Sequence, residues 1–401
     1  MSTRVTGGRW LVTGGAQGAH PLAATGVHAP EKASQADLQP TRHSPLTPHH
    51  SPPLLSRRGL LAGALAALLP VRAAAVEPRG EGQKMGAMIT SAADRAIDRG
   101  LNYLADRQND DGTFGHGGYR GNVAVCALAA MAFMSAGGMP GRGPFGRRID
   151  RVLDFILDNT QESGFIAAPP FASYGPMYGH GFAAMFLAEC YGAAPRADLR
   201  DKLTRAIQLI VSTQNHEGGW RYHPRPEDAD ISVTVCQVMA LRSARNAGLY
   251  VPSETIDRSI DYVKRSQNPD GGFMYMLAHG GESDFGRSAA GVVALQSAGI
   301  YEGEEIDRGL EYLMRFHPQE GRTRRFLDDT RFYYGHYYAV QAFWHTGNEA
   351  FARWYPAVRD ELIARQRNDG SWMAPISPEY ATAMATIVLQ VPNHYLPIFQ
   401  R

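Results

Sequence analysis

Six short polar turns recur along this chain, beginning at Gln108, Gln161, Gln214, Gln267, His317 and Gln366, with steps of 53, 53, 53, 50 and 49 residues. The fullest copies read Gln108-Asn-Asp-Asp-Gly112-Thr-Phe114, Gln214-Asn-His-Glu-Gly218-Gly-Trp220, Gln267-Asn-Pro-Asp-Gly271-Gly-Phe273 and Gln366-Arg-Asn-Asp-Gly370-Ser-Trp372. A period near 50 confines the fold to architectures whose units bury their apolar faces by stacking on neighbours. Everything after about residue 88 belongs to this repeat.

Each turn separates two helical runs of different character. Before the first turn, Ile97, Leu101 and Leu104 recur at helical spacing among Asp94, Arg95, Asp98, Arg99 and Asp106. That pattern predicts an outer helix with one wet face. After the turn, the run from Val123 to Phe133 has no polar face and stops at Gly137-Gly138, which predicts a buried inner helix. The pairing recurs at 201–213 with 231–244 and at 256–266 with 286–298. Within a turn, Gly permits positive φ and Asn or Asp closes side-chain-to-backbone bonds. The Gln that ends each outer helix is placed to bond the backbone of the next unit.

The pattern Gln-x-x-x-Gly-x-aromatic at the ends of outer helices resembles the QW repeat of squalene and oxidosqualene cyclases and its relatives in protein prenyltransferase β subunits. Four copies match closely; the copy at Gln161 keeps Gly164 and Phe165 but is one residue short, and the copy at His317 keeps Gly321 alone. The resemblance covers roughly 300 residues and implies an all-α fold, an α/α toroid with six inner helices around a central cavity and six outer helices antiparallel to them. The six pairs counted from the sequence agree with that closure.

The first 75 residues differ in kind. Residues 1–55 are rich in Pro, His, Ser, Gly and Ala without periodicity and predict disorder. Ser56-Arg57-Arg58-Gly59-Leu60-Leu61, an apolar stretch to Leu69 and Ala73-Ala74-Ala75 then read as a twin-arginine export signal, too short to span a bilayer. The expected organisation is therefore a leader over 1–75, a single toroid domain over 76–401, and a periplasmic location without a transmembrane segment in the mature chain. Seven of the 40 Lys and Arg but two of the 39 Asp and Glu lie in the leader, so 33 bases and 37 acids remain. That balance, with no basic run or stripe, argues against a nucleic-acid partner. Cys126, Cys190 and Cys236 all fall in apolar inner runs and read as buried, inert thiols.

Function on such a scaffold belongs where the turns feed the inner helices, because those helix starts surround the mouth of the cavity. Asn122, His180, Asp228, Asp230, Asp284, His336, Tyr380 and Thr382 fall there, with Tyr178, Tyr222 and Tyr334 nearby. An apolar cavity with a few convergent polar groups and aromatic faces suits an apolar ligand and can stabilise a cation. Acids at helix starts are also ordinary caps, so both readings stand at this point.

Three constellations follow. Glu227-Asp228-Ala229-Asp230-Ile231 lies where class II terpene cyclases carry Asp-x-Asp-Asp; the resemblance implies Asp230 as the protonating acid with Asp228 in support, while Ile231 replaces the last acid. Asp284-Phe285-Gly286 and His336 sit where prenyltransferases hold zinc, but Gly286 replaces the required Cys, so no metal or other cofactor is expected. Tyr178-Gly179-His180 and Tyr334-Gly335-His336 duplicate each other in repeats two and five, which face each other in a six-fold ring, and predict His180 and His336 as grips on opposite ends of one ligand, with Tyr178, Tyr222, Tyr334 and Asp284 lining it. Asp328-Asp329 at the fifth mouth, with Glu227 and Asp230 at the third, offers a separated carboxylate pair of the kind used in glycoside chemistry. Two functions remain: an exported cyclase-like or prenyltransferase-like enzyme acting on an isoprenoid or other apolar chain, and a non-catalytic toroid binding a protein, peptide or glycan of the cell envelope.

Overall fold

The computed structural model describes residues 88–168, 175–320 and 329–400, all within one compact unit, Pro78–Arg401. The twin-arginine leader, Gly321, Asp328 and the side chain of Asp329 lie outside the described residues. Among the described residues, twelve α-helices alternate between two layers. The outer helices are α1 (Ser91–Arg107), α3 (Gly146–Asp158), α5 (Leu199–Ser212), α7 (Ser253–Arg265), α9 (Glu304–Met314) and α11 (Asn348–Arg365). The inner helices are α2 (Val123–Met134), α4 (Pro176–Cys190), α6 (Ile231–Asn246), α8 (Phe285–Ser297), α10 (Asp329–Thr346) and α12 (Pro378–Gln390).

Each inner helix packs beside the next, and α12 returns to α2, so the inner layer is a closed ring. The near-absence of polar side chains on α2 follows from this, since it is covered on every side. Gln amides bridge alternate inner pairs: Gln237 Nε2 donates to Met177 O at 2.8 Å, Gln296 to Ala342 O at 2.9 Å and Gln390 to Ala132 O at 3.1 Å.

The turns are the hinges of the repeat. Gln108 Nε2 donates to Gly112 O in its own turn and to Arg148 O of the next outer helix, and Gln214 and Gln267 do the same toward Thr255 O and Glu305 O. Gln366 closes the circle by donating to Ala96 O in α1, at 2.8 Å. In α1, Gly100 leaves no side chain where a Cβ would lie 2.7 Å from Thr386 Oγ1, which lets the first outer helix reach the last repeat. The turn glycine has a double reason: Gly218 has φ +102, and a Cβ there would stand 2.1 Å from Arg258 O.

The aromatic that follows is latched as well. Trp220 N donates to Thr234 Oγ1 on α6, and its indole Nε1 to Ile210 O on α5. The same inner-helix position accepts the turn's N–H through Cys126 Sγ, Ser288 Oγ and Thr382 Oγ1 in repeats one, four and six. Cys126 is buried, as are Cys190 and Cys236.

Candidate active site

Four inner helices begin on a side-chain cap: Asn122, Asp230, Asp284 and Ser377 each accept backbone N–H bonds from the first turn. Asp230 stands apart because its carboxyl is fully buried. Its Oδ1 takes both the Ser232 and Val233 N–H bonds at 2.9 Å. Its Oδ2 has no hydrogen-bond partner, and Arg221 Nε lies 3.6 Å away.

Two opposed effects act on that acid. The helix N-terminus and the Arg221 guanidinium favour the carboxylate, whereas burial penalises it. Burial wins, and Asp230 is pushed from an ordinary 3.8 up to about 7. Asp228 adds to the rise as a neighbouring negative charge, but it is half-exposed and hydrogen-bonded to Arg221. Glu227 is exposed and faces Arg225 instead.

Arg221 is the hub of this cluster. Its guanidinium reaches Asp228 and Asp230 while lying 4.9 Å from the Tyr222 ring and 5.7 Å from the Tyr275 ring, both cation–π contacts. The two phenol hydroxyls are hydrogen-bonded to each other. Tyr178 packs on Tyr222 with centroids 6.2 Å apart, and Tyr334 donates to Ser232 O across the lumen at 3.4 Å. Tyr178, Tyr222, Tyr275 and Tyr334 are all half-buried around the same mouth. Sequence reasoning passed over Arg221 and Tyr275. A signal was available: Tyr222 and Tyr275 fall eight residues after Gln214 and Gln267.

The duplicated Tyr-Gly-His runs resolve differently from expectation. His180 Nδ1 accepts from Ile166 N at 3.2 Å and its Nε2 contacts Ala206 O at 3.2 Å, so it holds the second repeat's turn from the outer side. His336 is packed among Phe285, Phe332 and Trp354, with centroids 5.1, 4.5 and 5.8 Å away. Neither imidazole faces a ligand across the lumen, which corrects their assignment as opposed grips. The reason is rotation: at about 100° per residue, a tyrosine that faces inward puts the histidine two positions later on the outward side. The middle glycine is a packing device, since a Cβ on Gly335 would lie 2.5 Å from the Phe285 ring. Burial lowers His180 to about 4 and His336 to about 3, so both are neutral near pH 7.

Asp284 is a cap, taking Gly286 N and Arg287 N on Oδ1, and its Oδ2 faces Arg331 at 3.7 Å. Gly286 lets the Tyr334 ring pack close, since a Cβ there would lie 3.0 Å from that ring.

The squalene-hopene cyclase C-terminal domain matches residues 155–335, and the prenyltransferase alpha-alpha toroid domain matches residues 83–182. Between them the two matches span residues 83–335, and the fold is the α/α toroid that they describe. The chain is similar to drimenyl diphosphate synthase of Streptomyces showdoensis, 26% identical over 178 residues; the match spans 44% of this chain and 32% of that enzyme's length. Among solved structures, the type II terpene cyclase MstE from Scytonema aligns with TM-score 0.54 and 15% identity over 77% of this chain and 100% of its own. An inactive variant of an α-1,6-mannanase of Salegentibacter, bound to α-1,6-mannotetrose, aligns with TM-score 0.55 and 8% identity over 76% and 99%. Similarity at these identities speaks for the terpene-cyclase-like toroid fold, which hosts more than one chemistry.

Proposed function

We propose that this toroid is an acid-initiated cyclase of a linear isoprenoid, in which Asp230 protonates a terminal alkene and the mouth tyrosines stabilise the resulting carbocation. The observation that carries this reading is the state of Asp230: one oxygen is saturated by two helix-start N–H groups, while the other is buried, unpaired and titrates near neutrality. A carboxyl group protonated near pH 7 can donate its proton, which a capping carboxylate with an ordinary pKa does not offer. The drimenyl diphosphate synthase and MstE relatives support the substrate class.

In this arrangement Arg221, hydrogen-bonded to Asp228, lies beside Oδ2 and favours the carboxylate that remains once the proton has left. Nothing in this chemistry calls for a metal or cofactor. The twin-arginine leader supports action after export.

The second reading, a non-catalytic toroid of the cell envelope, rests on Ile231. Its side chain is fully buried and its N–H donates to Tyr275 O, so no acid stands where Asp-x-Asp-Asp ends. One experiment separates the two. The purified protein is incubated with farnesyl diphosphate and other linear prenyl substrates, and cyclised products are sought by mass spectrometry. Asp230→Asn keeps the cap and is expected to fold normally while losing at least a hundredfold in turnover. Full activity in that variant removes Asp230 as the acid, and absence of any product with the native protein favours the binding toroid.

A further inference from the structure

Past α12 the chain runs across the end of the ring opposite the mouth. Val391–Asn393 form one turn of 3-10 helix, and His394, at φ +59, makes the left-handed turn that leads out of it. Leu396, Ile398 and Phe399 are then buried, while Tyr395, Pro397 and Gln400 are exposed. This short strap lies against α6 and reaches α10 through two ring contacts, Phe399 on Tyr337 at 6.3 Å and His394 on Trp344 at 4.3 Å. Much of its bonding stays within it: Phe399 N donates to Leu396 O and Gln400 N to Pro397 O, both at 3.0 Å, and Gln400 Nε2 donates to His394 O at 2.9 Å. A segment bonded to itself in this way can lift as a unit without unfolding its neighbours.

Two charged side chains lie beneath the strap. Glu189, in the last turn of α4, and Arg242, near the end of α6, come from adjacent inner helices. Arg242 donates to Gln400 O and stands over the Tyr301 ring, 5.9 Å from its centroid. Glu189 faces the Ser243 hydroxyl, the Ile398 N–H and the Arg242 guanidinium, all of which favour its carboxylate, yet its buried Oε2 has no hydrogen-bond partner. Burial outweighs the three and pushes Glu189 from an ordinary 4.5 up to about 7. The other titratable groups that face it, Cys190 on its own helix and Tyr337 of α10, stay neutral near pH 7 because burial raises both. His394, on the strap itself, is held below its ordinary 6.5 by burial.

The two titrating groups act on the strap with opposite sign. An acid that regains its ordinary value when uncovered favours the uncovered state at higher pH, so closure over Glu189 is fullest below about pH 4.5 and is lost as pH rises through 7. A histidine lowered by burial loosens the strap as pH falls. We propose that residues 396–400 are a strap over the far end of the ring, released when the Glu189 carboxyl beneath it ionises. The device is independent of what the mouth binds or converts.

Hydrogen exchange of the full-length protein, read by mass spectrometry in peptides covering 394–400 and corrected for the intrinsic pH dependence of exchange, tests it. Between pH 5 and pH 8, protection of the strap is expected to fall at least tenfold, against a ceiling of about seventyfold if Glu189 wholly regains its ordinary value. Peptides from α6 are expected to hold their protection over the same range. Glu189→Gln, which cannot ionise, is expected to keep the strap equally protected at both pH values; Glu189→Met repeats the test should the first variant fold poorly. His394→Asn is expected to leave the native response intact. Flat protection in the native protein overturns the proposal, as does a fall that survives in folded Glu189 variants. Protection that rises with pH, or a response abolished by His394→Asn, transfers control to His394 and overturns it as well.

Discussion

Asp230 carries two duties that pull its charge in opposite directions. As the cap of α6 it receives two N–H bonds, and as a buried group it resists ionisation. The linkage has a definite sign. Because the folded value of about 7 lies above the ordinary 3.8, the contribution of Asp230 to stability is fullest below about pH 4 and is lost as pH rises through 7. Asn cannot ionise, so the melting temperature of Asp230→Asn relative to the native protein is expected to rise by a few degrees between pH 5 and pH 8. A constant difference across that range would show that the carboxyl is ionised throughout. The neutral His180 acts at the other end of the scale: its folded value of about 4 lies below the ordinary 6.5, so its contribution is present above pH 6.5 and is lost as pH falls toward 4.

At the level of elements, the turn aromatics tie outer to inner helices. Trp220 is fully buried, and both its backbone N–H and its indole N–H are used. Trp220→Ala is expected to cost about 3–5 kcal/mol, read as a lower denaturant midpoint; an unchanged midpoint would mean that the ring contributes no packing. How legible this was depended on whether a role keeps one residue type. The Gln, the Gly and the aromatic recur together in four of the six turns because each meets the same geometric demand there, so the hairpins could be counted and the resemblance that implies a toroid recognised. The latch on the inner helix is met by Cys126, His180, Thr234, Ser288 and Thr382, chemically unlike groups that share one acceptor position. With no common residue type, that role was invisible, and His180 drew a ligand role instead. Asp230 was legible through its local spacing. Its partnership with Arg221 had no linear signature, whereas Tyr275 shares with Tyr222 the position eight residues after the turn's Gln.

Across the whole molecule, the ring closes where α12 packs on α2 and where the Gln366 amide joins the last turn to α1. Gln366→Ala is expected to speed hydrogen exchange first in α1 and α11, ahead of α6 and α8, whereas uniform exchange across the ring would deny the seam any special role. Upstream of the toroid, the proposed export route predicts that replacing Arg57 and Arg58 with Lys retains precursor in the cytoplasm; a mutant that still reaches the periplasm would refute it. The seam also bears on the history such a chain can have. An open solenoid gains or loses a unit by duplication or deletion and stays folded, because its end is merely a cap. Here the sixth turn must find Ala96, and Gly100 must meet Thr386, at a fixed angle around a circle. A five- or seven-unit descendant would leave that seam gaping, so copy number is held at six by geometry, and variation is channelled into the loops at the mouth.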